Sequence, residues 1–186
     1  MVIATYLHDP LVHLTSAMAM ALLLGASALH KLRDLDGFAQ ILQRYGQSLA
    51  GLLPGWLQNL LVCLLPALEL LAAAGLLASY WLAWAAAPAA LLLAVYAGVL
   101  ALSVWRGLAI DDCGCHFGGK RQPPSMALVW RNLLLVLLVV NLLAPMTGRV
   151  LVWFDALTLG FSLMSGVVLY LLANLLISNR VSLREL

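Results

Sequence analysis

Charge is what this chain has least of. Only 10% of its 186 residues are Asp, Glu, Lys or Arg, where a soluble domain carries roughly 25%. Ten cations against eight anions leave a net charge of +2, too small for a nucleic-acid partner, and there is no basic arm, acidic tail, repeat or low-complexity block. Cysteine is scarce as well: three residues cannot build a disulfide framework. The first ten residues hold no Lys or Arg, and no small-residue cleavage site follows the first apolar run. That run is therefore expected to stay as a membrane span rather than to be removed as a leader.

What is present is hydrocarbon. Hydrophobic residues make up 64% of the chain and the mean hydropathy is +1.00. Apolar runs close to 20 residues long recur, the length that crosses a bilayer as a helix. These features predict an all-α, polytopic membrane bundle, one integral membrane domain with about five spans at 11–32, 56–78, 82–105, 126–144 and 150–177. Between the first two, Phe38, Ile41, Leu42 and Tyr45 fall at i, i+3, i+4 and i+7, which predicts an amphipathic helix too short to span, lying in the interface. Pro123-Pro124-Ser125 is expected to start the fourth span.

The loop 106–125 is the exception to all this apolarity. It holds Asp111-Asp112-Cys113-Gly114-Cys115-His116, followed by Lys120 and Arg121. Two cysteines separated by one residue can close only a strained disulfide, and strained, exposed disulfides are oxidising and exchange readily. Gly114 eases the backbone that such a ring demands. His116, Lys120 and Arg121 favour the thiolate, the form that attacks. Cys113 and Cys115 are the predicted redox pair. The same atoms can be read as a metal site: Cys113, Cys115 and His116, with Asp111 or Asp112, are soft ligands suited to copper(I), or to zinc if four converge.

Other ionisable residues lie inside or at the ends of spans. Glu69 is about 20 Å along its helix at 1.5 Å per residue, near the bilayer middle, where such a residue needs a partner. Lys31 ends the first span and Arg106 the third. Each is expected to reach only partway, so that a water or ligand bridges the remainder. Lys31, Glu69 and Arg106 are predicted to line a pocket behind the loop, with room for a quinone or a proton relay. A neutral, hydrogen-bonded Glu69 that merely ties helices together is the structural alternative. Cys63 is rotated by about 240° from Glu69 and is predicted to be a packing cysteine.

Lysine at the end of the first span, Pro66-Ala67-Leu68-Glu69-Leu70 in the second, Arg106-Gly107 after the third and Cys113-Gly114-Cys115-His116-Phe117-Gly118 before the fourth resemble the MauE family of methylamine-utilisation membrane proteins, which are DoxX-like. The resemblance covers the whole length. It departs at His116, since the family pattern has phenylalanine directly after the second cysteine. It implies a bacterial inner-membrane protein that helps mature the disulfide-rich small subunit of methylamine dehydrogenase, a secreted substrate, together with a thioredoxin-like partner.

Charge and chemistry disagree about sides. Lys31, Arg33, Arg44, Arg106, Lys120, Arg121, Arg131, Arg180 and Arg184 fall on the loop side of a five-span topology and only Arg149 on the other. That bias places the loop in the cytoplasm. Maturation of a secreted subunit calls for an outward-facing loop, whereas an inward-facing one suits transfer of reducing equivalents across the membrane.

Overall fold

A computed structural model describes residues 7–48, 54–107 and 125–182. Among them the structure is all helical, with no strand. Six α-helices occur: α1 (Pro10–Arg33), α2 (Leu35–Ser48), α3 (Gly55–Ala78), α4 (Ala87–Trp105), α5 (Met126–Asn141) and α6 (Trp153–Ser182). A short 3-10 turn, Ala83–Ala86, leads into α4. Four helical stretches are long and apolar enough to cross a membrane: Pro10–Arg33, Gly55–Ala78, Ala83–Trp105 and Trp153–Ala173. The helix in the fourth predicted span, α5, is apolar but has only 16 residues, about 24 Å at 1.5 Å per residue. The chain is a multi-pass membrane protein.

The ends of α1 follow from its sequence. Asp9 accepts a hydrogen bond from the Leu11 amide at 2.8 Å and Pro10 opens the first turn, a pre-set start. Asp34 closes α1 and begins α2. Its amide donates to the His30 carbonyl, its carbonyl accepts from the Phe38 amide, and its carboxylate accepts from the Gly37 amide at 2.9 Å. A Cβ at position 37 would sit 2.3 Å from that carboxylate, so glycine is what allows the side chain to fold over.

α2 forms where the i, i+3, i+4, i+7 pattern places it, with Phe38, Leu42 and Tyr45 buried. It packs along the first half of α3. Phe38 lies beside Lys31, and Gly46 lies so close to the Gln58 side chain that a Cβ there would meet it at 2.2 Å. The helix therefore packs against α3 as it runs from near Lys31 toward Gln58.

The core joins α1, α3, α4 and the end of α5. Ala17, Met20, Ala21 and Leu24 meet Ala72, Ala73 and Leu76, then Ala86, Ala89 and Leu93, then Val139 and Leu142. Alanines dominate because small side chains let membrane helices approach. Gly75 extends the same logic: a Cβ there would lie 2.4 Å from the Ala85 carbonyl oxygen.

All six tryptophans are exposed, between 63% and 85%. Trp56, Trp105 and Trp130 sit near the ends of α3, α4 and α5 that face the 106–125 loop, and Trp81, Trp84 and Trp153 at the opposite ends. Along α4 the two levels are about 32 Å apart, matching a hydrocarbon core of about 30 Å between aromatic belts.

At the far level a polar clasp holds the start of α1. Thr147 donates its amide to the His8 carbonyl at 2.8 Å, and Arg149 pairs with Asp9 at 3.2 Å and with Asp155 at 2.7 Å. Asp155 also accepts from the Val152 amide at 2.8 Å, which starts α6 at Trp153, slightly later than hydropathy alone predicts. One turn inside the same end, buried His13 meets Ser79 at 3.0 Å. The serine hydroxyl is spent on the Leu76 carbonyl, so the imidazole Nε2–H is the donor.

Candidate functional site

Glu69 lies midway along α3, between Trp56 and Trp81, and is fully buried. Two neighbouring helices send side chains to it. From α1 come Lys31, 4% exposed, and Ser27 one turn earlier; from α4 comes Tyr96. Lys31 Nζ forms an ion pair with Glu69 Oε1. Ser27 Oγ donates to the same oxygen at 3.1 Å and Tyr96 OH at 2.8 Å. Lys31 Nζ also reaches Ser27 Oγ at 3.2 Å, and it lies over the rings of Phe38 at 5.4 Å and Tyr96 at 5.1 Å. Aromatic faces stabilise a cation where water is excluded.

The arrangement is lopsided. Oε1 receives three donors, whereas Oε2, equally buried, has no hydrogen-bond partner among the described residues. A bare buried acceptor costs about 1–3 kcal/mol.

No bridge is needed between Lys31 and Glu69, contrary to the sequence-based expectation. Ser27 stands level with Glu69 and Lys31 one turn beyond it, so the long lysine side chain folds back along α1 to the carboxylate. Arg106 goes elsewhere. It is exposed at the end of α4, where its amide bonds back to Leu102 and the Gly107 amide to Val104. Gly107 has φ +59, the left-handed conformation that stops helices and favours glycine. The Arg-Gly pair is thus a helix stop from which the loop departs. Cys113, Cys115, His116 and the possible ligands Asp111 and Asp112 lie outside the described residues.

Cys63 is exposed on α3 and does not pack in the core. Pro66 and Glu69 occupy the buried face, and the 240° rotation between Cys63 and Glu69 puts the thiol on the outside. Ser27 and Tyr96 were not anticipated as site residues. Two signals were available: Ser27 precedes Lys31 at i, i+4, and Tyr96 is the sole tyrosine of an otherwise apolar helix.

Compared with known proteins, residues 9–145 match the family described as Methylamine utilisation protein MauE. The chain belongs to the MauE family. Among curated relatives, the Methylamine utilization protein MauE of Paracoccus denitrificans is 36% identical over 177 residues, covering 93% of this chain and 91% of that protein. The MauE of Methylorubrum extorquens is 31% identical over 165 residues, covering 86% and 83%. The MauE of Methylophilus methylotrophus is 38% identical over 120 residues, 64% of this chain and 58% of that protein. No solved structure matches. MauE proteins act in methylamine utilisation, and the matched residues take in Lys31, Glu69, Tyr96 and the whole Cys-Gly-Cys loop.

Proposed function

We propose that this MauE protein is a bacterial inner-membrane thiol–disulfide redox protein that assists maturation of a secreted, disulfide-containing protein, the small subunit of methylamine dehydrogenase, with a thioredoxin-like partner. The observation that carries the reading is the Cys113-Gly114-Cys115 pair, set with His116, Lys120 and Arg121 in the most charged loop of a chain that is otherwise hydrocarbon. Membership of a methylamine-utilisation family supports the substrate, and the buried Lys31–Glu69–Tyr96 cluster supports a chain built for more than anchoring.

In the reducing direction, one thiolate of the pair attacks a sulfur of the partner's disulfide. The partner's S–S bond breaks, one partner sulfur leaves as thiolate, and a mixed disulfide forms. The second cysteine, as thiolate, attacks the mixed disulfide and releases the partner's other sulfur. The partner gains two electrons and Cys113–Cys115 is left as a disulfide. Run backwards, the same steps oxidise a partner dithiol.

Replacing both Cys113 and Cys115 by serine is expected to abolish assembly of active methylamine dehydrogenase while the protein stays in the membrane at its normal level. Full enzyme assembly in that variant, measured beside the membrane content, would overturn the reading.

A further inference from the structure

The two aromatic belts expose a mismatch on the loop side of the bilayer. α3 and α4 run out to Trp56 and Trp105, but α1 stops at Arg33, just beyond Lys31, and Lys31 contacts Glu69 at mid-depth. The remaining depth beside α3 is filled by α2, from Phe38 near the ion pair to Gly46 near Gln58. α2 buries only one face. Its other face presents Asp36, Gln40, Gln43 and Gln47, all exposed, and the joint adds exposed His30, Arg33 and Asp34. A row of carboxylates and amides cannot rest against lipid tails at this depth, because each charged or hydrogen-bonding group there costs several kcal/mol.

A second observation lies at the inner end of this polar face. Among the described residues, Glu69 Oε2 is fully buried and without a partner, although Oε1 of the same carboxylate has three. Ser27, at the edge of the cluster, is only partly buried. An acceptor that no described side chain satisfies, at the end of a hydrophilic face entering the membrane, is placed for a water donor.

We infer that a water-filled recess enters the bilayer along the outer face of α2 and that its innermost water donates to Glu69 Oε2, so that a proton can reach Glu69 from that side. Among the described residues the ionisable groups facing the carboxylate are Lys31 of α1 and Tyr96 of α4; α2 contributes the Phe38 ring beside Lys31. A proton arriving on Oε2 leaves Lys31 as an unneutralised cation between two aromatic rings. Proton uptake at Glu69 thereby weakens the tie between α1 and α3. This recess requires nothing of the cysteines, so its failure would leave the redox reading intact.

The test is thiol accessibility in membrane vesicles of each orientation. Single cysteines replace Gln40, Ser27 or Val95 in full-length protein lacking the three native cysteines, and the reagent is a membrane-impermeant cationic methanethiosulfonate. Val95 is the control, an exposed apolar position next to Tyr96 on α4. Thiols react as thiolates, which form only where water is present. Q40C and S27C are expected to react from the α2 side at least about tenfold faster than V95C. S27C as slow as V95C would overturn the recess, and Q40C as slow as V95C would show that the α2 face is covered by lipid or another protein. Water-edited solid-state NMR of the unsubstituted protein provides an arm that needs no variant. Rapid transfer of water magnetisation to the Glu69 carboxyl carbon, assigned by its loss in E69Q, is expected, and its absence would refute the bound water.

Discussion

The Lys31–Glu69 pair sets the energetics of the membrane interior at single residues. Two charges in a low-dielectric bundle stabilise only as a pair, because each left alone keeps its desolvation cost. Lys31→Met or Glu69→Leu alone is expected to lower stability by about 3–5 kcal/mol, while the double replacement returns to within about 1 kcal/mol of the parent. Thermal unfolding in detergent measures this cycle. A double variant as unstable as the sum of the singles would mean that the two residues act independently. Function separates from stability here: if the cluster serves the redox chemistry, the double variant folds yet fails to support methylamine dehydrogenase assembly. Glu69 was legible in the sequence as a carboxyl group at mid-bilayer that needed a partner. That the partner is Lys31 in direct contact was not, because a lysine at the end of an apolar run reads as lying at the surface. Nothing in hydropathy shows that its side chain folds back along the helix to Ser27 and Glu69 instead of reaching outward. Cys63 was misread for a related reason: an apolar run does not reveal which of its faces is outermost until a neighbour is packed against it.

At the scale of elements, the joint between α1 and α2 is the device that places Lys31. Asp34 makes it by ending one helix and capping the next, with Gly37 leaving room for the carboxylate. Asp34→Ala is expected to cost about 0.5–2 kcal/mol, the usual loss for a removed N-terminal cap. Gly37→Ala should be no better, since its Cβ takes the space of the carboxylate. Hydrogen exchange of the first-turn amides of α2, faster in both variants with α4 unchanged, checks the claim; unchanged exchange would remove Asp34 from this role. The amphipathic spacing of Phe38, Ile41, Leu42 and Tyr45 made the helix itself predictable, and the three residues it buries are among those four. Its direction was not predictable, since periodicity states which face is apolar but not what covers it. The long helices were read to within a few residues because hydrocarbon length and apolar composition determine them. Larger differences arose at α5 and α6, where polar hydrogen bonds in the connection, such as Asp155 with the Val152 amide, override the hydropathy profile.

The whole molecule is a tight bundle of α1, α3, α4 and α5 with α6 laid outside against α1 and α5. Arg131 of α5 over the Tyr170 ring is one of the contacts that hold it. Among the described residues the bundle buries the Lys31–Glu69 ion pair at its centre, and α4 ends at the helix stop of Gly107. Removing buried Lys31 from the surface charges leaves the loop side with eight Lys or Arg residues against Arg149 alone, which is itself tied to Asp9 and Asp155. The charge count alone therefore still favours a cytoplasmic loop, whereas the proposed maturation chemistry calls for an outward-facing one. The most direct measurement is to trap the partner of the cysteines. Cys113→Ser and Cys115→Ser are made separately with Cys63→Ser, cells growing on methylamine are quenched in acid, and high-mass species on non-reducing gels are identified by mass spectrometry. Maturation chemistry predicts a reductant-sensitive mixed disulfide in one of the two variants, with a secreted or periplasm-facing thioredoxin-like protein as the joined partner, and none when both cysteines are replaced. A cytoplasmic partner in that band, or no mixed disulfide in either single variant, would contradict it.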